Sequence, residues 1–141
     1  MAEIVRLQKV DSAVGAQIDT LLKQLDTGKQ YSPQALQALI ESPSAELWVV
    51  KDNERVVGMT TLNFLHRAMG SVGCVDDVVI DEEYRGQGLG KKLMEKVIEA
   101  ARKRGARHLG LTSRPAREAA NKLYQKLGFE LKQTNTYRLK L

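Results

Sequence analysis

The chain has 141 residues, 43% hydrophobic and 28% charged, with three prolines and a formal charge of +5, a composition that suits one folded domain over residues 1–141 and argues against long disordered tails. Cys74, the single cysteine, has no internal disulfide partner and no ligand cluster around it, the first six residues lack the apolar centre of a signal peptide, and no later run is long enough to span a bilayer; the expectation is a metal-free cytoplasmic protein away from membranes. The positive residues are scattered and no row of aromatics accompanies them, which disfavours nucleic acid and favours an anionic small molecule as the partner.

Ile4 to Leu7 reads as a short first strand. From Asp11 the residues Val14, Ile18, Leu21, Leu22 and Leu25 recur on one helical face, with Gly28 as the expected stop. Ser32-Pro33 supplies an N-cap and a first-turn proline for a second helix carrying Leu36, Leu39 and Ile40, ended by Ser42-Pro43. Two β-type runs, Leu47 to Val50 and Val56 to Leu62, flank the turn residues Asp52-Asn53-Glu54 and predict a hairpin. Val72 to Ile80, rich in β-branched residues, adds a third antiparallel strand.

Beyond Leu89, the positions Leu93, Met94, Val97, Ile98 and Ala101 predict a helix that stops at Gly105 after a cationic last turn. His108 to Thr112 is a short strand, after which Ser113 and Pro115 open a helix with Ala116, Ala119, Ala120, Leu123, Tyr124 and Leu127 on its stripe and Gly128 at its end. Phe129 to Lys132 and Tyr137 to Leu141 alternate enough to predict a closing pair of strands. The order β-α-α-β-β-β-α-β-α-β-β makes the fold class α/β, or α+β with a mixed sheet, arranged as three layers with helices on both faces.

Between the third strand of the hairpin region and the next helix lies Arg85-Gly86-Gln87-Gly88-Leu89-Gly90-Lys91. Three glycines let backbone amides point inward at a helix N-terminus, which is an anion cradle, and Arg85, Lys91 and Lys92 add positive charge. A P-loop needs glycine where Arg85 stands and Ser or Thr where Lys92 stands; a dinucleotide fingerprint needs glycine at Lys91. Both patterns fail.

Arg85, Gly88 and Gly90 match the Arg/Gln-x-x-Gly-x-Gly/Ala cofactor motif that follows an apolar strand in the GNAT superfamily of acyl-CoA-dependent N-acetyltransferases, which the chain resembles. The lead-in Asp77 to Arg85 is similar to that family's, and Ala119 to Phe129, with Asn121, Tyr124 and the closing Gly128-Phe129, resembles its later helix. From about Asp76 to Phe129 the resemblance rests on ordered motifs; before that it is topological.

The resemblance implies a GNAT-like sheet and acetyl-CoA as cosubstrate. It implies that backbone groups of Val78, Val79 and Ile80 pair with the pantetheine arm, that an amide of Val79 or Val78 polarises the thioester carbonyl, and that amides from Gly86, Gln87, Gly88, Leu89, Gly90 and Lys91 take the diphosphate beside Arg85. Asn121 and Tyr124, three residues apart on one helix face, are placed to meet the cofactor, Tyr124 as the acid for the departing thiolate. An alkylamine must lose a proton before it attacks. Asp76 is the preferred acceptor of that proton, Asp77 the alternative, with strand alternation sending the two to opposite faces and some relatives managing without a dedicated base. His66, His108 and Cys74 have no partner pattern and are read as structural.

The expected activity is therefore direct acetyl transfer to a primary amine of a small molecule, with a protein N-terminus or lysine as the alternative acceptor and a non-catalytic acyl-CoA sensor as the alternative class. The acceptor region is expected between Leu7 and Ser44 and between Asn63 and Gly73, and an exposed edge strand is compatible with a homodimer.

Overall fold

Local signals fix most element starts. In the computed structural model, which describes residues 2–28 and 31–141, the Asp11 side chain accepts the Val14 N–H at 2.8 Å and caps α1 (Ser12–Leu25), and Ser32 accepts the Ala35 N–H at 3.2 Å to cap α2 (Pro33–Glu41). α1 follows β1 (Ala2–Leu7), and α2 leads into the hairpin of β2 (Ala45–Asp52) and β3 (Arg55–Leu65). Then come β4 (Val72–Ile80), a 3₁₀ turn at Glu82–Tyr84, α3 (Leu89–Lys103), β5 (Leu109–Leu111) and α4 (Glu118–Lys126).

The five strands lie in the order β1-β2-β3-β4-β5, antiparallel up to β4 and parallel between β4 and β5. Alternation along β2 sends Leu47 and Val49 to one face and Val50 to the other, so each face has its own core. Ile18 and Leu21 of α1 and Leu36 of α2 bury one face; Leu93, Met94 and Val97 of α3 and Tyr124 of α4 bury the other. The expected three layers and mixed sheet are present. No helix among the described residues is long and apolar enough to cross a membrane.

Buried Glu46 stitches the α3 face to the sheet: it takes the Trp48 indole N–H at 3.0 Å and the Arg104 guanidinium at 3.1 Å. Arg104 also lies 4.1 Å over the Phe64 ring, so its charge is matched and its planar face is covered.

Three expectations need correction. α1 closes at Asp26, whose N–H bonds to the Leu22 carbonyl, and Gly28 lies beyond it, donating to Asp26 Oδ1 at 2.9 Å in an Asx turn. α4 starts at Glu118 rather than at Ser113 and Pro115, because Pro115 biases Arg114 away from helix and the segment folds as a turn held by Asn121. The closing strands at 129–132 and 137–141 are not formed. β5 offers only three paired residues, and Phe129 turns back into the end of α4, its N–H on the Tyr124 carbonyl at 3.0 Å and its ring edge-on to Tyr124. Leu131, Tyr137, Leu139 and Leu141 stay exposed, so their alternation has no buried face to fill.

Candidate active site

β4 changes its neighbour along its length. Gly73 donates its N–H to His108 O on the β5 side at 2.9 Å, whereas Asp81, eight residues on, donates to Val57 O of β3 at 2.8 Å. In an unbroken strand, residues an even number apart face the same neighbour. The break is a bulge: Met59 pairs with Val79 and Thr61 with Asp76, so Asp77 and Val78 together oppose Thr60. Asp77 adopts φ 56°, a left-handed conformation that aspartate tolerates better than most residues, and the Thr60 hydroxyl donates to the Asp76 carbonyl at 3.0 Å.

Two consequences follow. The backbone groups of Val78 and Ile80 turn away from β3, while those of Val79 enter the β3 ladder; Val79 therefore presents no amide to the cleft, and of the two expected thioester-polarising amides only that of Val78 faces it. Because β5 pairs only with Gly73, Cys74 and Val75, the β4 edge beyond Val75 has no β5 partner, and this unpaired edge beside Val78 and Ile80 is the candidate cleft. The Ile80 carbonyl is taken by Arg85 Nε at 2.9 Å, which holds that guanidinium at the cleft end.

The second consequence overturns the expectation that Asp76 and Asp77 face opposite ways. The bulge puts both on the α1/α2 face, where they line a cavity of about 490 Å³ together with Asn63, Tyr31, Leu22 and Leu39. Asn63 Nδ2 donates to Asp76 Oδ2 at 3.3 Å. The cavity draws on the expected segment before Ser44 and on Asn63, and reaches into β3 and β4 as well.

At the other end of the cleft, Gly88 caps α3 with φ 78° and Gly86 has φ 80°; a Cβ at either would meet nothing within 4 Å. No side chain caps this helix, and its first bond runs from Lys92 N to Gly88 O at 3.2 Å. The amides of Leu89, Gly90 and Lys91 are thus without helical partners beside exposed Gln87. Open space, amides without helical partners and the exposed Arg85, Lys91 and Lys92 fit a phosphate-bearing group.

The lead-in to this cradle is clamped by residues far apart in the chain. Buried Asp81 accepts the Glu83 N–H at 3.0 Å and pairs with Arg55 at 3.2 Å; the Tyr84 hydroxyl donates to Asp52 at 2.8 Å under the Arg55 guanidinium. The bond to Asp52 raises the Tyr84 pKa above the ordinary phenol value. Asp52 had been legible only as turn chemistry.

Tyr124 is buried in the same cluster as Val75, Val78 and Met94. Burial pushes its phenol above the usual 10.0, with nearby Arg117 opposing. Its hydroxyl has no hydrogen-bond partner among the described residues, none of which keeps a buried side-chain polar atom unpaired, so it reaches open space. Asn121 uses its amide nitrogen on Arg114 O and Arg117 O, at 2.9 and 2.8 Å, and so holds the turn before α4. Arg114 in that turn pairs with Asp26 at 3.2 Å and Arg117 donates to Leu25 O, linking the ends of α1 and α4. His66 pairs with Ser71, His108 is exposed and Cys74 is half-buried within β4.

Comparison with known proteins gives the family. N-alpha-acetyltransferase 30 of Schizosaccharomyces pombe is 30% identical over 109 residues, covering 77% of this chain and 73% of that protein. The glucosamine 6-phosphate N-acetyltransferase of Trypanosoma brucei brucei is 33% identical over 113 residues, 64% of this chain and 75% of that protein. The crystal structure of a Trypanosoma brucei acetyltransferase superposes with a TM-score of 0.81 at 27% identity, covering 100% of both chains. Residues 17–129 match the acetyltransferase (GNAT) family, and with the split β4/β5 pair and the uncapped glycine-rich start of α3 already in place, the chain belongs to that family of acetyltransferases.

Proposed function

We propose that the protein transfers the acetyl group of acetyl-CoA directly to a primary amine of a small molecule. The observation that carries this reading is the β4 bulge, which puts a cleft-facing amide at Val78 next to two carboxylates on the opposite face. Bound acetyl-CoA supplies a reactive thioester; the chain supplies position and proton handling. The amides of Gly86 to Lys91 and the charges of Arg85 and Lys91 hold the diphosphate, while Val78 and Ile80 offer backbone groups to the pantetheine arm. The Val78 N–H donates to the thioester carbonyl oxygen, where negative charge develops.

Asp76, fixed by Asn63, accepts the ammonium proton of the acceptor, with Asp77 beside it; Tyr124 donates its phenolic proton to the departing sulfur. Asn121 acts by holding the turn before α4 and so orienting Tyr124. A second reading, acetylation of a protein N-terminus, is favoured by the similarity to the yeast N-alpha-acetyltransferase. Calorimetry with acetyl-CoA tests the shared step: the parent binds and Gly88→Glu, which adds a side chain at φ 78° and a negative charge in the cradle, does not. Absence of binding by the parent removes both readings.

A further inference from the structure

α4 begins against the usual preferences of a helix start. Arg117 holds its N-cap position, and among the described residues no side chain caps the helix; asparagine, aspartate and serine are the favoured caps there, and a cation at a helix N-terminus opposes the helix dipole. The position makes sense from α1 instead. The last carbonyls of a helix have no helical partner and attract cations, and the Arg117 guanidinium donates to Leu25 O in the last turn of α1. On its other side that turn reaches the lead-in to the glycine cradle, Gln24 accepting the Glu82 N–H at 3.0 Å. The end of α1 thus holds both segments that leave β4 and β5, and earlier in the same helix Ile18 and Leu22 line the cavity of Asp76 and Asp77.

We propose that Arg117 is a positioning residue for acetyl transfer: tied to the last turn of α1, it sets Tyr124 against the cleft and against the helix that walls the Asp76 cavity. The inference rests on the acetyl-transfer reading above. Arg117 and Tyr124 are seven residues apart, about two helical turns, and so share a face of α4. The residue is fixed at both ends, because Asn121 Nδ2 donates to the Arg117 carbonyl at 2.8 Å while the guanidinium is held by α1. Arg114 beside it pairs with Asp26 at 3.2 Å but is exposed, and an exposed pair contributes little; half-buried Arg117 carries the tie. Its charge also reaches the phenol. Burial makes Tyr124 a weaker proton donor, and the nearby Arg117 charge opposes that push. A departing thiolate, with a conjugate-acid pKa of about 8.5 if it behaves as cysteine does, is served better by a phenol nearer that value.

Arg117→Met keeps the aliphatic stem and removes the charge and the donors, whereas Arg117→Lys keeps the charge. The test titrates Tyr124 by NMR in the full chain carrying tyrosine labelled at the phenol carbon, with the resonance assigned by its loss in Tyr124→Phe. The Tyr124 midpoint is expected to rise in Arg117→Met, where a positive charge that favoured the phenolate is gone, and to return towards the parent value in Arg117→Lys. Rates are then measured with acetyl-CoA and whichever of phenethylamine, glucosamine 6-phosphate and a peptide with an N-terminal alanine the parent acetylates fastest. In Arg117→Met kcat is expected to fall roughly 10- to 100-fold, the scale of a misplaced reacting group, and to recover in part in Arg117→Lys, while calorimetric affinity for acetyl-CoA stays at the parent value as evidence of an intact fold. A Tyr124 midpoint unmoved in Arg117→Met, an unchanged kcat, or a loss that lysine restores in no part overturns the inference and leaves the acetyltransferase reading standing. Failure of the parent to bind acetyl-CoA overturns that reading and this inference together.

Discussion

Tyr124 combines packing with an unshared hydroxyl, and the proposed role depends on its staying protonated. Burial raises its pKa above 10.0 in the folded chain, so the acid form persists through neutral pH and past the point where an ordinary phenol ionises. Tyr124→Phe should lower kcat by at least roughly 100-fold while leaving acetyl-CoA affinity unchanged, measured by initial rates and calorimetry. The sign for stability follows from the same shift: a folded value above the unfolded one contributes stability present below about pH 10 and lost as pH rises through the folded value. Chemical denaturation of parent and Tyr124→Phe across alkaline pH should therefore show a smaller loss in the variant. The three-residue spacing of Asn121 and Tyr124 fixed their helical positions but not their partners: Asn121 bonds to Arg114 O and Arg117 O, while Tyr124 packs with Val75 and Met94. The orientation of Asp76 and Asp77 was not legible, because a bulge is set by how β4 registers against β3 and no residue type in that stretch encodes it.

Elements were readable where they carry their own punctuation. Asp11, Ser32-Pro33 and the α3 stripe fixed three helices to within a residue of their starts, whereas the last two strands depended on a long partner that β5 does not provide. The glycine turn was equally legible, but its support was not: Arg55 and Asp81 are 26 residues apart and meet only because β3 and β4 are neighbours. That support predicts two effects of one substitution. Arg55 is half exposed but its partner Asp81 is buried and would keep only the Glu83 N–H, so Arg55→Ala should cost about 1–3 kcal/mol of stability. It also frees the end of β4 and the Tyr84 turn, so acetyl-CoA must order the cradle on binding and its affinity should fall measurably. Paired thermal melts and calorimetry check this: a lowered melting temperature with unchanged acetyl-CoA affinity would make Arg55 a general stabiliser rather than a support for the cradle.

Across the molecule, the charge of +5 acquires meaning from its distribution. A net excess favours any polyanion, which is as far as composition reaches; the fold adds that basic residues stand at the start of α3 while the acidic pair faces the opposite side of the sheet. On the proposed reading, an anionic cosubstrate and a cationic acceptor are drawn to different faces of one strand, and neither competes for the other's site. Both attractions involve exposed groups, Arg85, Lys91 and Lys92 on one side and Asp76 on the other, so salt screens both. Raising ionic strength from about 0.01 to 1 M, which shortens the Debye length from roughly 30 to 3 Å, should weaken acetyl-CoA binding and raise the KM for a cationic amine, with little change in kcat if Val78 and Tyr124 act as proposed, away from the exposed charges. Rates at several salt concentrations resolve this. A KM that rises for acetyl-CoA but stays flat for the amine would show that the carboxylates handle the proton without drawing the acceptor in, and would move acceptor recognition onto the apolar wall of Leu22, Leu39 and Tyr31 alone.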